Sequence, residues 1–192
     1  MKISHFLAGA VLLIASPAAA QNLINNGDFE SGSLSSFTQF GNMSSSGVDE
    51  AAAADGTFGA FFGPRGSVGG ISQTIATSAG ESFLISFDLS NDGGQGTFFE
   101  VLFGGTQLFT GTDTNPFDFT RFSTFAVAAG PSTTLSFAFR QDPAFFSLDN
   151  ISVTAVSGAV PETDTWAMML FGFGTVGAGM RRRKIAGTVR LA

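Results

Sequence analysis

The 192-residue chain has no cysteine, no tyrosine and one histidine, His5. Without cysteine there are no disulfides, no thiolate nucleophiles and no cysteine-ligated zinc sites. With its only histidine at the extreme N-terminus, the rest of the chain has no His-based triad and no His-ligated zinc. Lysine is almost as scarce. Between Gln21 and Val160 there is none, and three arginines (Arg65, Arg121, Arg140) face thirteen acidic residues, a balance of −10. Such a surface repels nucleic acid and anionic polymers, and it suits divalent cations. The single tryptophan, Trp166, stands near the C-terminus. The body therefore also lacks Trp and Tyr, the amphipathic rings best suited to a wet sugar platform. Phosphate loops and dinucleotide fingerprints are absent too.

Phenylalanine is abundant instead, with 23 residues, and apolar residues make up 44% of the chain, so the composition is not a disordered one. Both ends carry targeting patterns. Residues 1–20 read as a secretory signal peptide: Lys2, an apolar run from Phe6 to Ile14, then Ala18-Ala19-Ala20, with cleavage expected after Ala20. Residues 158–192 read as a sorting tail. Pro161-Glu162 precedes Trp166, and Thr165 to Met180 is a stretch of 16 residues without charge, closed by Arg181, Arg182, Arg183 and Lys184. A helix of that length spans about 24 Å, a short transmembrane helix over 165–180. Trp166 suits the interfacial belt, and the basic block stays cytoplasmic under the positive-inside rule.

Between them, residues 21–157 form one domain large enough to fold alone. Short β-branched or aromatic runs alternate with Gly, Asn, Asp and Pro. Candidate strands are Phe58–Phe62, Gly70–Ile75, Ser82–Leu89, Thr97–Phe103, Gln107–Thr110, Thr120–Val127, Thr133–Arg140 and Phe145–Val156. Phe83, Ile85, Phe87 and Leu89 share one face, as do Leu135, Phe137 and Phe139. Gly104-Gly105 signals a hairpin turn. No helical period appears before the tail. This pattern predicts an all-β sandwich or barrel.

Two resemblances sharpen the reading. The tail, with Trp166-Ala167-Met168-Met169-Leu170-Phe171-Gly172-Phe173-Gly174 and its arginine cluster, resembles the PEP-CTERM sorting signal. That resemblance implies Sec export, processing near Pro161-Glu162 by an exosortase-type membrane cysteine transpeptidase, and a membrane-tethered precursor bound for the cell surface or extracellular matrix. The family's second proline is replaced by Thr163. The body resembles galactose-binding-like jelly rolls, including many carbohydrate-binding modules. Asn22-Leu23-Ile24-Asn25-Asn26-Gly27-Asp28-Phe29-Glu30 is similar to their opening, and Phe146-Ser147-Leu148-Asp149-Asn150-Ile151-Ser152-Val153 to their closing strand. A jelly-roll β-sandwich is the implied fold.

The same resemblance implies a structural Ca2+ held by Glu30 and Asp149, with Asp28 and Asp55 as weaker ligand candidates and backbone carbonyls completing the shell. Parity with Ile151, Val153 and Ala155 puts Asp149 on a core-facing register, where a carboxylate needs a partner. The alternative is that Glu30 caps a turn and Asp149 accepts backbone hydrogen bonds at a bulge.

For catalysis only carboxylates remain. Glu100, Asp113, Asp118 and Asp142 fall in loops or on polar strand faces, so a carboxylate-dependent glycoside hydrolase is a remote alternative. Exposed Phe117, Phe119, Phe145 or Phe146 offer faces for stacking on sugars. The leading expectation is a non-enzymatic exported envelope protein associated with exopolysaccharide or biofilm matrix. The alternative is a carbohydrate-binding module for a specific glycan.

Overall fold

The computed structural model describes residues 21–156 together with Gly172 and Phe173, which are helical. The chain divides into two units, Met1–Val156 and Ser157–Ala192. The signal peptide with Ala20, and Pro161, Glu162, Trp166 and Arg181–Arg183 of the tail, lie outside the described residues. Among the described residues no helix is long and apolar enough to cross a membrane.

The body is a sandwich of two five-stranded antiparallel sheets. The first sheet runs in the order β1 (Thr38–Gly41), β4 (Gly69–Ala76), β9 (Ser132–Arg140), β6 (Phe98–Phe103), β7 (Thr106–Thr112). The second runs β2 (Ser46–Asp49), β3 (Gly59–Phe62), β10 (Phe146–Ala155), β5 (Ser82–Asn91), β8 (Phe117–Val127). The one short helix in the body is a 3-10 turn, Glu50–Ala52, capped by Asp49, whose carboxylate accepts from the Ala52 amide at 3.0 Å.

The alternating apolar residues of the central strands meet between the sheets. Phe83, Ile85, Phe87 and Leu89 are all fully buried, and Leu135, Phe137 and Phe139 face them from the other sheet. Phenylalanine does most of the filling. Phe87 meets Phe137 edge-on at 5.1 Å, Phe109 edge-on at 5.4 Å and Phe122 stacked at 5.3 Å. Phe62 stacks on Phe139 at 4.5 Å. Such offset and edge-on pairs add to plain area burial.

Asp149 is fully buried, as parity suggested, but for another reason. A bulge between Asp149 and Ser152 breaks the alternation of β10, with Asn150 at φ 52°. Leu148 faces the core before the bulge, and Ile151 and Val153 face it afterwards. Asp149 pairs across from Asp88 on the outer side of the sheet. The loop that follows the 3-10 turn covers it there, donating the Ala54 and Asp55 amides.

Candidate functional site: an aromatic cleft on the outer sheet face

The second sheet turns alternate residues away from the core. At one end those residues form a row. Gly47 of β2, Phe61 of β3, Ser147 of β10 and Ser90 of β5 lie in register as direct cross-strand neighbours. Next to Ser90, β8 is bulged: Leu89 pairs with Thr120 and Asn91 with Phe117, which brings Asp118 and Phe119 to the rim. The result is a cleft of about 690 Å³, walled by the 3-10 turn on one side and by Pro116–Phe119 on the other. That volume is in the range of small-ligand sites, about 300–1,000 Å³.

Four phenylalanines, Phe61, Phe117, Phe119 and Phe145, line it. Phe145 and Phe119 are each 37% exposed. Phe61 meets Phe145 edge-on at 5.7 Å. Two glycines keep these rings accessible. A Cβ at Gly47 would stand 3.0 Å from the Phe61 ring, and one at Gly63 would stand 2.6 Å from the Phe145 ring.

A buried polar network fixes the loops at the cleft end. Gln141 is fully buried and donates through Nε2 to Asn91 Oδ1 at 2.6 Å. Asn91 Nδ2 donates to Thr114 Oγ1 at 2.9 Å and to the Asn115 carbonyl at 3.2 Å. Asn91 Oδ1 also accepts from the Gly93 amide at 3.0 Å. The three loops bearing Asp92, Pro116 and Phe145 are thereby tied to one centre, as a positioned site requires.

Of the residues singled out in the sequence, Phe117, Phe119 and Phe145 line this cleft, with Asp118 beside them. Phe146 does not: it is fully buried and packs against Phe139 and Phe99. Asp142 lies at a separate groove and pairs with Arg65 at 3.8 Å. Glu100 is on β6, in the other sheet, and Asp113 is in the turn before β8. The remote hydrolase quartet is therefore dispersed. Sequence reasoning missed Phe61, Ser90, Ser147, Asn91 and Gln141; Gly59-Ala60-Phe61-Phe62 has no apolar–polar alternation to show which way Phe61 faces.

The metal candidates fall into two groups. Glu30 and Asp149 both grip the loop 53–58. Glu30 accepts from the Thr57 and Phe58 amides at 2.7 and 2.9 Å, which holds its carboxyl below the usual carboxylate range. Asp149 accepts from the amides of Ala54 (2.8 Å), Asp55 (3.2 Å) and Asn150 (2.7 Å). Burial nevertheless pushes its carboxyl up, the three amides oppose that, and Asp88 adds to it. Asp28 and Asp55 instead line a polar cleft of about 360 Å³ with Arg121, which is engaged by Asp88 at 3.2 Å. Among the described residues no group of three or more His, Cys, Asp or Glu is placed to hold a metal.

No protein-family model matches the chain. No curated protein sequence matches it either. Solved structures do. A family 61 carbohydrate-binding module, in complex with β-1,4-galactotriose, matches with a TM-score of 0.56 and 13% identity over 71% of this chain and 100% of its own. The CBM22-1 xylan-binding domain from Paenibacillus barcinonensis matches with a TM-score of 0.52 and 14% identity over 75% of this chain and 100% of its own. The CBM22-1-GH10 modules of a Clostridium thermocellum xylanase, complexed with xylohexaose, match at 0.52 and 18% identity over 74% of this chain and 30% of theirs. The body has the jelly-roll fold of carbohydrate-binding modules. At these identities the likeness is one of fold, and the site has to be argued from its own residues.

Proposed function

We propose that the protein is a non-catalytic glycan-binding module whose cleft takes a polysaccharide chain on the Phe61, Phe119 and Phe145 rings. The cleft itself carries this reading: solvent-reaching aromatic faces stand in a concavity beside aligned serine hydroxyls. Phe125 is more exposed, at 69%, but it does not line this cleft. The jelly-roll likeness supports the reading, since modules of this fold have been solved with glycans bound. Phe119→Ala and Phe145→Ala should each weaken binding to a retained polysaccharide by about tenfold or more, as loss of an aromatic anchor does. Affinity gel electrophoresis across a polysaccharide panel checks this. Unaltered retention of both variants would move the site elsewhere.

Delivery rests on the two ends of the sequence. In the proposed route the protein is exported by Sec, tethered by 165–180, and trimmed near Pro161-Glu162 by an exosortase-type enzyme, so that the module reaches surface or matrix polysaccharide. Intact mass of the native protein is expected to lack residues 1–20 and to end near Thr163. A mass that retains Trp166 to Ala192 would mean a permanently tethered domain.

We further propose a structural Ca2+ at Glu30 and Asp149, with loop carbonyls completing an oxygen shell. The support is chemical: two carboxylates grip one loop, and the buried one is held only by amides, beside a second acid. Chelation should lower the melting temperature of the wild type and leave Asp149→Ala unchanged. A wild-type melting temperature indifferent to EDTA removes the ion.

A further inference from the structure

We propose that the cleft is built for a cationic glycan, a polysaccharide of amino sugars carrying free amino groups. This rests on the glycan-binding reading of the same site. Its first support is charge. Asp49, Asp92 and Asp118 all line the cleft, and no basic side chain does. The arginines of the body are committed elsewhere: Arg65 pairs with Asp142, Arg121 with Asp88, and Arg140 donates to the Gly96 carbonyl at 2.8 Å. Among the described residues, the Asp92 and Asp118 carboxylates accept no hydrogen bond and form no ion pair. Asp49 uses one oxygen on the Ala52 amide, and its other oxygen accepts no hydrogen bond among the described residues. Three carboxylates around one concavity repel uronic or sulfated chains and draw in ammonium groups.

The second support is independent of charge. Ser90 is only 8% exposed, lines the cleft, and its hydroxyl has no partner among the described residues. Ser147, its cross-strand neighbour, lines the cleft too. The Ser90 oxygen still reaches the solvent of the cleft, where a ligand hydroxyl can take the place of water. A sugar ring lying on Phe61 would present hydroxyls to this pair. Its apolar face would cover the aromatic ring while its amino group reaches the acidic rim. A glycan with equatorial hydroxyls and free amines satisfies hydroxyls, rings and carboxylates together.

The test is calorimetric titration of the protein with four oligosaccharides: a glucosamine hexamer, its fully N-acetylated counterpart, xylohexaose and an oligogalacturonate. The glucosamine hexamer should bind at least about tenfold tighter than the acetylated one. Asp92→Asn combined with Asp118→Asn should remove that margin. So should raising salt from about 0.1 M to about 1 M, where the Debye length falls from about 10 Å to about 3 Å. Glu100→Gln, in the other sheet, should leave it intact. Both cleft aspartates are exposed, and unchanged melting of the double variant confirms an intact fold. Equal affinity for acetylated or neutral chains, still lost in Phe119→Ala, overturns the cationic assignment and keeps the glycan cleft. An equal loss in Glu100→Gln reduces the effect to overall charge and overturns it also. If none of the four oligosaccharides binds, both readings fall.

Discussion

Phe87→Ala should destabilise the domain by about 3–5 kcal/mol, the usual cost of truncating a buried aromatic ring. Phe87 sits at the centre of β5, fully buried, with three rings around it from β7, β8 and β9. Removing it deletes contacts to both sheets at once, and the rigid neighbours collapse only partly into the space. No disulfide limits the damage, because the chain has no cysteine. Against a total stability of roughly 5–15 kcal/mol for an ordinary domain, such a loss is severe. Urea denaturation checks it, as a lower midpoint at unchanged slope. Phe87→Leu should retain more than half of the lost stability. Phe125→Ala, at a ring 69% exposed, should stay within about 0.5 kcal/mol of wild type. A cost below about 1 kcal/mol for Phe87→Ala would contradict the packing described.

The core was legible because period two is a direct imprint of burial on one face. Alternation alone puts Phe83, Ile85, Phe87 and Leu89 on one face and Leu135, Phe137 and Phe139 on another, and all seven residues are buried between the sheets. Edges left no such imprint. Thr38–Gly41 and Ser46–Asp49 have no fully buried residue, each lies at the margin of its sheet, and neither was recognised as a strand. The strand β8 begins at Phe117, three residues before the expected Thr120, because the bulge there breaks the alternation that marks a strand. The same device bears on Asp149. Parity counted through the bulge puts it on the core face, but the bulge reverses faces. The alternative reading, a carboxylate accepting backbone hydrogen bonds at a bulge, is what β10 shows, with a loop about ninety-five residues away supplying two of the amides.

The cleft was half legible for a similar reason. Phe145 and Phe146 are adjacent and chemically equal, yet one is a rim residue and the other core. The start of β10 decides between them, and nothing local marks it. Gln141 and Asn91 meet across 50 residues of sequence, a distance over which polar side chains give no pattern at all. Aromatic abundance could point to stacking surfaces, but the serine pair and acidic rim appear only when β5, β8 and β10 are laid side by side.

Asp149→Ala should cost about 3–5 kcal/mol, since a hydrogen bond to a charged group contributes about 1.5–3 kcal/mol and this carboxylate accepts three. Its carboxylate holds the Ala54 and Asp55 amides at 2.8 and 3.2 Å, so the loop over the second sheet loses its inner anchor. Glu30 grips the same loop from outside, through the Thr57 and Phe58 amides. The two carboxylates leave opposite marks on the pH dependence. Glu30, lowered in the folded state, contributes stability that is present above its unfolded value of 4.5 and is lost as pH falls through its folded value. Asp149, raised in the folded state, contributes most below its unfolded value of 3.8, and that contribution is lost as pH rises through its folded value. Asp149→Asn should therefore flatten the decline above pH 3.8, and Glu30→Gln the acid-side loss below pH 4.5. A bound Ca2+ would reverse the Asp149 contribution, because a cation favours the ionised form. Melting curves from acid to neutral pH, with calcium and with EDTA, on wild type and both variants, separate the cases. A decline with pH in EDTA that vanishes with calcium assigns the buried carboxylate to the ion. A decline unchanged by calcium leaves it as the acceptor of three amides and nothing more.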